Sequence, residues 1–163
     1  MIDIIGAYVL PAAFALLPSA MYSREAAALL LAIGLQESGF TARRQAGGPA
    51  RSFWQFELAG VRGVLQHSKS RAAILGALEQ LGYRNFETPE LLDALEHNDI
   101  LAACFARGLL WTLPFSLPAP EAPSGGWQLY LEAWRPGKPR PAAWEGHYAD
   151  AWQWVRSQQT INA

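Results

Sequence analysis

Apolar residues recur every three to four positions through most of the chain, and small or polar residues break them into helical segments. Ser23 can cap a helix opening at Arg24, Glu25 suits its positive end, and Gly39 follows the last apolar turn as a stop. This pattern predicts a helix ending near Glu37. Ser70 followed by Ile74, Leu75, Leu78 and Leu81, then Gly82, predicts an amphipathic helix with a cap at each end. Thr88-Pro89-Glu90 opens a short helix, and Asp99 to Trp111, apolar nearly all round, predicts the central core helix. Behind Pro141, the residues Trp144, Tyr148, Trp152 and Val155 share a helical stripe that core packing explains. Trp127 and Trp134 flank another short helix-like run and are less easily explained by the core.

Two stretches depart from this pattern. Ile4 to Ser23 carries no charge, yet Asp3 stands where a secretory leader carries a cation, and Pro11 and Pro18 break the run. The expectation is buried helix or packed turn, without a signal peptide and without stable membrane insertion. Thr41 to Gly48 reads as a turn-rich loop and Ser52 to Glu57 as a short extended run, the only sheet-like segment. The expected class is mainly α (α+β), with a small β-hairpin; neither a repeat nor a linker divides residues 1–163, so one domain is expected.

Composition narrows the function classes. A net charge of -1 and 51% hydrophobic residues describe a chain that buries a sizeable core, and they exclude disorder. With a pI near 6.3 there is no overall field to concentrate the chain on nucleic acid, which is not expected as a partner. The one cysteine, Cys104, lies in an apolar run and reads as core filler in a chain made in the reducing cytoplasm. His67, His97 and His147 lack metal-ligand spacing and read as surface or structural residues, so no metal or other cofactor is expected. A monomer is the expected state.

Glu37 is the most informative residue. It falls at i+4 from Ile33 and i+7 from Leu30, which aims a carboxylate at apolar surroundings from the negative end of a helix. Desolvation and the helix dipole both disfavour its ionised form, which is what a general acid for an ether oxygen needs. The duller alternative leaves its head in water. Strand alternation in the extended run sets Phe53, Gln55 and Glu57 on one face and turns Trp54 to the core. Trp134 and Arg135, with Gln55, offer the aromatic face and planar hydrogen-bonding groups that sugars need, and Trp134 is the first choice for stacking. Arg43, Arg44 and Arg51 cluster around the expected hairpin, either as a solvated basic loop or as a carboxylate receptor.

Gln36-Glu37-Ser38-Gly39-Phe40, followed by Gly48-Pro49-Ala50-Arg51-Ser52-Phe53-Trp54-Gln55, resembles the lysozyme-like superfamily, above all soluble lytic transglycosylases and goose-type lysozymes. The family places Glu-Ser-x-Phe at a helix end and follows it with Gly-Ala-x-Gly-Leu-Met-Gln. Here Pro49 and Ser52 replace the glycines. Later, Ala133-Trp134-Arg135-Pro136-Gly137 occupies the place of the family's Ala-Tyr-Asn-x-Gly, with Trp for Tyr and Arg for Asn. The resemblance implies cleavage of the peptidoglycan glycan strand between N-acetylmuramic acid and N-acetylglucosamine. Glu37 would be the single catalytic carboxylate, and Ser38 would steady it or the sugar N-acetyl group. The compact style looks like the endolysin-type murein-degrading proteins of bacteriophages and prophages, which reach the wall through a holin-type hole, with a virion or by another secretion route. Three alternatives stay open: a hydrolytic muramidase with Glu57 as second carboxylate, a non-catalytic glycan-binding or virion structural protein, and a membrane-permeabilising helical protein.

Overall fold

A computed structural model of the protein describes residues 1–161, with side chains described through residue 158. The chain is mainly helical. A short α1 (Ile2–Ile4) runs through a π-helical stretch (Ile5–Val9) into α2 (Leu10–Leu16), and a 3-10 turn (Ser19–Met21) leads to α3 (Arg24–Ser38). Then follow α4 (Leu58–Gln66), α5 (Arg71–Gln80), α6 (Thr88–His97), α7 (Asp99–Thr112), α8 (Pro123–Trp134) and α9 (Pro141–Ile161). The uncharged N-terminal stretch is thus helix and packed turn. Among the described residues no helix is long and apolar enough to cross a membrane.

Two helices, α3 and α7, are buried almost all round, and both contribute small residues that let neighbours close in. The most extensive helix pairing joins α3 to α9, while α7 meets α2, α4, α5 and α6 on its other sides. Both ends of α3 follow from its sequence. Ser23 Oγ accepts the Ala26 N–H at 3.0 Å, and Gly39 adopts the left-handed conformation (φ 61°) that ends the helix. Gly34 is required for another reason: a Cβ there would lie 2.2 Å from the Phe40 ring, which folds back over the helix. Cys104, fully buried on α7, fills core space.

The expected β-hairpin is not formed; among the described residues the only sheet-like contacts are isolated antiparallel bridges between Arg44 and Arg51 and between Arg51 and Phe56. Ser52 to Glu57 is instead a tight turn. Arg51 and Phe56 exchange backbone hydrogen bonds at 2.8 and 2.7 Å, and Gln55 N–H returns to Ser52 O. Ser52 (φ 68°) and Gln55 (φ 50°) occupy the left-handed region, which a strand cannot contain. Without a strand there is no alternation, so Phe53, Trp54 and Phe56 all enter the core together. The turn leads directly into α4, with Glu57 at its N-cap position.

Ser52 is buried, and its Oγ accepts the Trp54 N–H at 3.2 Å. Ser52→Gly trades that bond for relief at positive φ and is expected to stay within about 0.5 kcal/mol of wild type. Ser52→Val adds a β-branch at a left-handed position and loses the hydroxyl, for an expected cost of about 2 kcal/mol. Urea denaturation of both variants checks this, and equal stability of the two would refute the backbone argument.

Candidate active site

The last turn of α3 delivers Glu37 to the wall of a cleft of about 490 Å³, which Ser38, Gln55, Arg44, Arg140 and His147 also line. Glu37 is half-buried. Tyr130, on the buried face of α8, donates its phenol O–H to Glu37 Oε1 at 2.6 Å. Burial raises the Glu37 pKa above the usual carboxylate range; the Tyr130 hydrogen bond and the Arg140 charge oppose the rise, and the Glu57 charge adds to it. Burial and the Glu37 contact raise the Tyr130 pKa as well, which keeps its proton on the phenol as a fixed donor.

Gln36, adjacent in sequence, is 2% exposed. Its Nε2 donates to Arg140 O at 3.0 Å, while Arg140 Nη2 donates back to Gln36 O. The Gln36 Oε1 atom lies 2.9 Å from His147 Nδ1. Because the amide nitrogen is engaged with a carbonyl, the oxygen must accept, which puts the imidazole proton on Nδ1 and leaves Nε2 as an acceptor. Burial and the Arg140 charge lower the His147 pKa, so the ring is neutral near pH 7. Gln36 therefore clamps the end of α3 to the start of α9 and holds Arg140 beside Glu37.

The other expected site residues are distributed as follows. Ser38 Oγ donates to Phe53 O at 2.8 Å and accepts the Phe40 N–H at 3.1 Å; none of its hydrogen bonds goes to Glu37. It ties α3 to the 51–56 turn. Gln55 reaches the cleft, and its Nε2 donates to Ser52 O at 2.7 Å. Phe53 does not reach it: the ring is 1% exposed, edge-on to Phe40 and under the Arg43 guanidinium, so a substrate cannot touch it. Glu57 occupies the N-cap position of α4 but makes no capping hydrogen bond, and its exposed carboxylate is near enough to act on Glu37.

Trp134 is half-buried, packed on Phe56 and Tyr130, and its Nε1–H donates to Trp54 O at 2.8 Å. Trp127 packs on Tyr130 and Trp144, so both tryptophans that the core left unexplained belong to its aromatic edge. Arg135, in the left-handed cap after α8 (φ 49°), points to solvent and pairs with Glu132 of the same helix. Neither Trp134 nor Arg135 lines the cleft that Glu37 lines. The arginine cluster is paired internally: Arg43 with Asp99, and Arg44 and Arg51 with Glu96. Among the described residues no group of three or more His, Cys, Asp or Glu side chains could hold a metal ion.

Sequence reasoning missed Tyr130, Arg140 and the role of Gln36. Two of these carried a signal. A glutamine inside so apolar a helix must find partners, and Tyr130 places a polar tip one turn before Trp134. Arg140 carried none, because its relation to Glu37 is purely tertiary. Chemically the site is an acid with a raised pKa that accepts a phenol hydrogen bond and lies in the field of a guanidinium. Compared with family models, curated proteins and solved structures, the chain matches none.

Proposed function

We propose that the protein cleaves the β-1,4 bond between N-acetylmuramic acid and N-acetylglucosamine in peptidoglycan, by lytic transglycosylase-type chemistry with Glu37 as the one catalytic carboxylate. The observation that carries this reading is the Glu37–Tyr130 pair at the mouth of α3, set in a cleft with Gln55 and Arg140. Protonated Glu37 gives its proton to the glycosidic oxygen as the C1–O bond breaks, and the bonding pair leaves with the N-acetylglucosamine oxygen. Tyr130 and Arg140 then stabilise the carboxylate. That carboxylate takes the proton of the muramyl 6-hydroxyl as O6 bonds to C1, which gives the 1,6-anhydro product and restores the acid.

The same reading makes the chain a lysozyme-like murein-degrading protein of phage type, acting as a monomer on wall glycan after release from the cytoplasm. Its support is the order of motifs along the sequence and the placing of Glu37 at a helix end. One observation favours a second reading. Glu57 is exposed, uncommitted to a cap and electrostatically felt at Glu37, which suits a second carboxylate activating water in a muramidase. Mass spectrometry of fragments released from purified sacculi separates the two. Anhydromuramyl ends are expected; reducing muramyl ends, heavier by one water, would replace the transglycosylase reading with hydrolysis, and no release from folded protein would sink both.

A further inference from the structure

A second cavity, of about 640 Å³, lies between the start of α3, the end of α7 and the segment that follows α7. It shares no lining residue with the Glu37 cleft. Its wall includes Arg107, a cation 3% exposed in the middle of the largely apolar α7. Arg107 Nε donates to Met21 O at 2.6 Å, and the guanidinium carbon lies 4.8 Å from the centre of the Trp111 ring. Nη1 is shielded from solvent and has no hydrogen-bond partner, and none of the ion pairs among the described residues includes Arg107.

Burial pulls the guanidinium pKa down to about 10, so the group is still charged at neutral pH. A buried charge without a counter-ion is costly, and a fold that keeps one beside a cavity gains when an anion enters. The rest of the lining defines that anion. Lys69 adds a second positive charge and Glu25 a negative one, a balance that accepts one charge and repels a dianion. Leu110, Leu113 and Leu117 line the cavity together with Phe115, a residue 60% exposed, and they suit an apolar body.

We infer that this cavity binds a small carboxylate carried on an apolar body, its head set against Arg107 and Lys69 and its body on the leucine and Phe115 wall. The probe is 3-phenylpropionate, compared with its neutral amide and with inorganic phosphate, titrated into the full chain by calorimetry. The acid is expected to bind at least about tenfold tighter than the amide, the worth of one charged hydrogen bond. Arg107→Met, which exchanges an unpaired buried charge for an apolar chain of similar length, is expected to stay folded and erase that preference. The indole N–H resonance of Trp111, assigned through Trp111→Phe, is expected to shift with the acid. Equal affinity for acid and amide, or no binding of either, would overturn the inference, as would phosphate binding as tightly as the acid. Glu37→Gln is expected to leave binding unchanged, which keeps this result separate from the fate of the glycan-cleavage reading.

Discussion

Glu37→Gln is expected to reduce glycan release from sacculi by about 10³-fold or more, while making the folded protein more stable at neutral pH. On the proposed chemistry the loss follows from removing the proton donor and the subsequent base in one step, since a positioned acid or base contributes about 10²–10⁴-fold. The gain in stability follows from the same burial that prepares the acid. The folded-state pKa of Glu37 is raised, so below the ordinary value of 4.5 both folded and unfolded forms hold the proton and nothing is lost. As pH climbs from there through the folded-state pKa, the unfolded chain ionises first and wild-type stability falls. Gln cannot ionise, and its Oε1 still accepts the Tyr130 hydroxyl. Thermal melts of both proteins at pH 4 and pH 7 check the sign: the advantage of Gln should be larger at pH 7. An equal gap at both pH values would show that the carboxylate is not desolvated, and undiminished glycan release would remove Glu37 from the chemistry.

That site was only half legible in the sequence, and the two halves differ in kind. Glu37 could be found because a helix carries its own register: Leu30, Ile33 and Glu37 share a face whatever surrounds them, and the caps at Ser23 and Gly39 are local chemistry. The stripe of Trp144, Tyr148, Trp152 and Val155 was legible for the same reason, and all four are buried. The segment 51–57 was not. Its apolar residues allow either a strand or a turn that buries them together, and left-handed backbone at Ser52 and Gln55 decides for the turn. With the strand went the face that grouped Phe53 with Gln55 and Glu57. Tyr130 and Arg140 lie 93 and 104 positions from the α3 residues they bond, separations over which no periodic signal operates. Arg107 was hidden differently: a cation in an apolar helix reads as the exposed edge of that helix until its burial is seen.

Trp54→Ala is expected to cost about 3–5 kcal/mol, a large share of the roughly 5–15 kcal/mol that holds a domain folded. Trp54 is fully buried, edge-on to Phe40 at 6.0 Å, and its Nε1–H donates to Leu30 O at 2.9 Å. Its own carbonyl receives the Trp134 indole, so one residue joins α3, the 51–56 turn and α8. Removing the ring leaves a cavity among Phe40, Phe53 and α3 that rigid helices cannot fill. Trp54→Phe keeps much of the ring and loses only the indole bond, for an expected cost of about 1 kcal/mol from that bond plus a small packing loss. Urea denaturation at low temperature resolves both variants. The site should respond as well, because Gln55 and the Ser38 contact to Phe53 O are carried by the turn that Trp54 anchors. Glycan release measured where Trp54→Ala is still folded is therefore expected to fall further than in Trp54→Phe. A cost below about 1 kcal/mol for the alanine variant would mean that the turn is held by its paired Arg51–Phe56 backbone bonds and not by the buried ring.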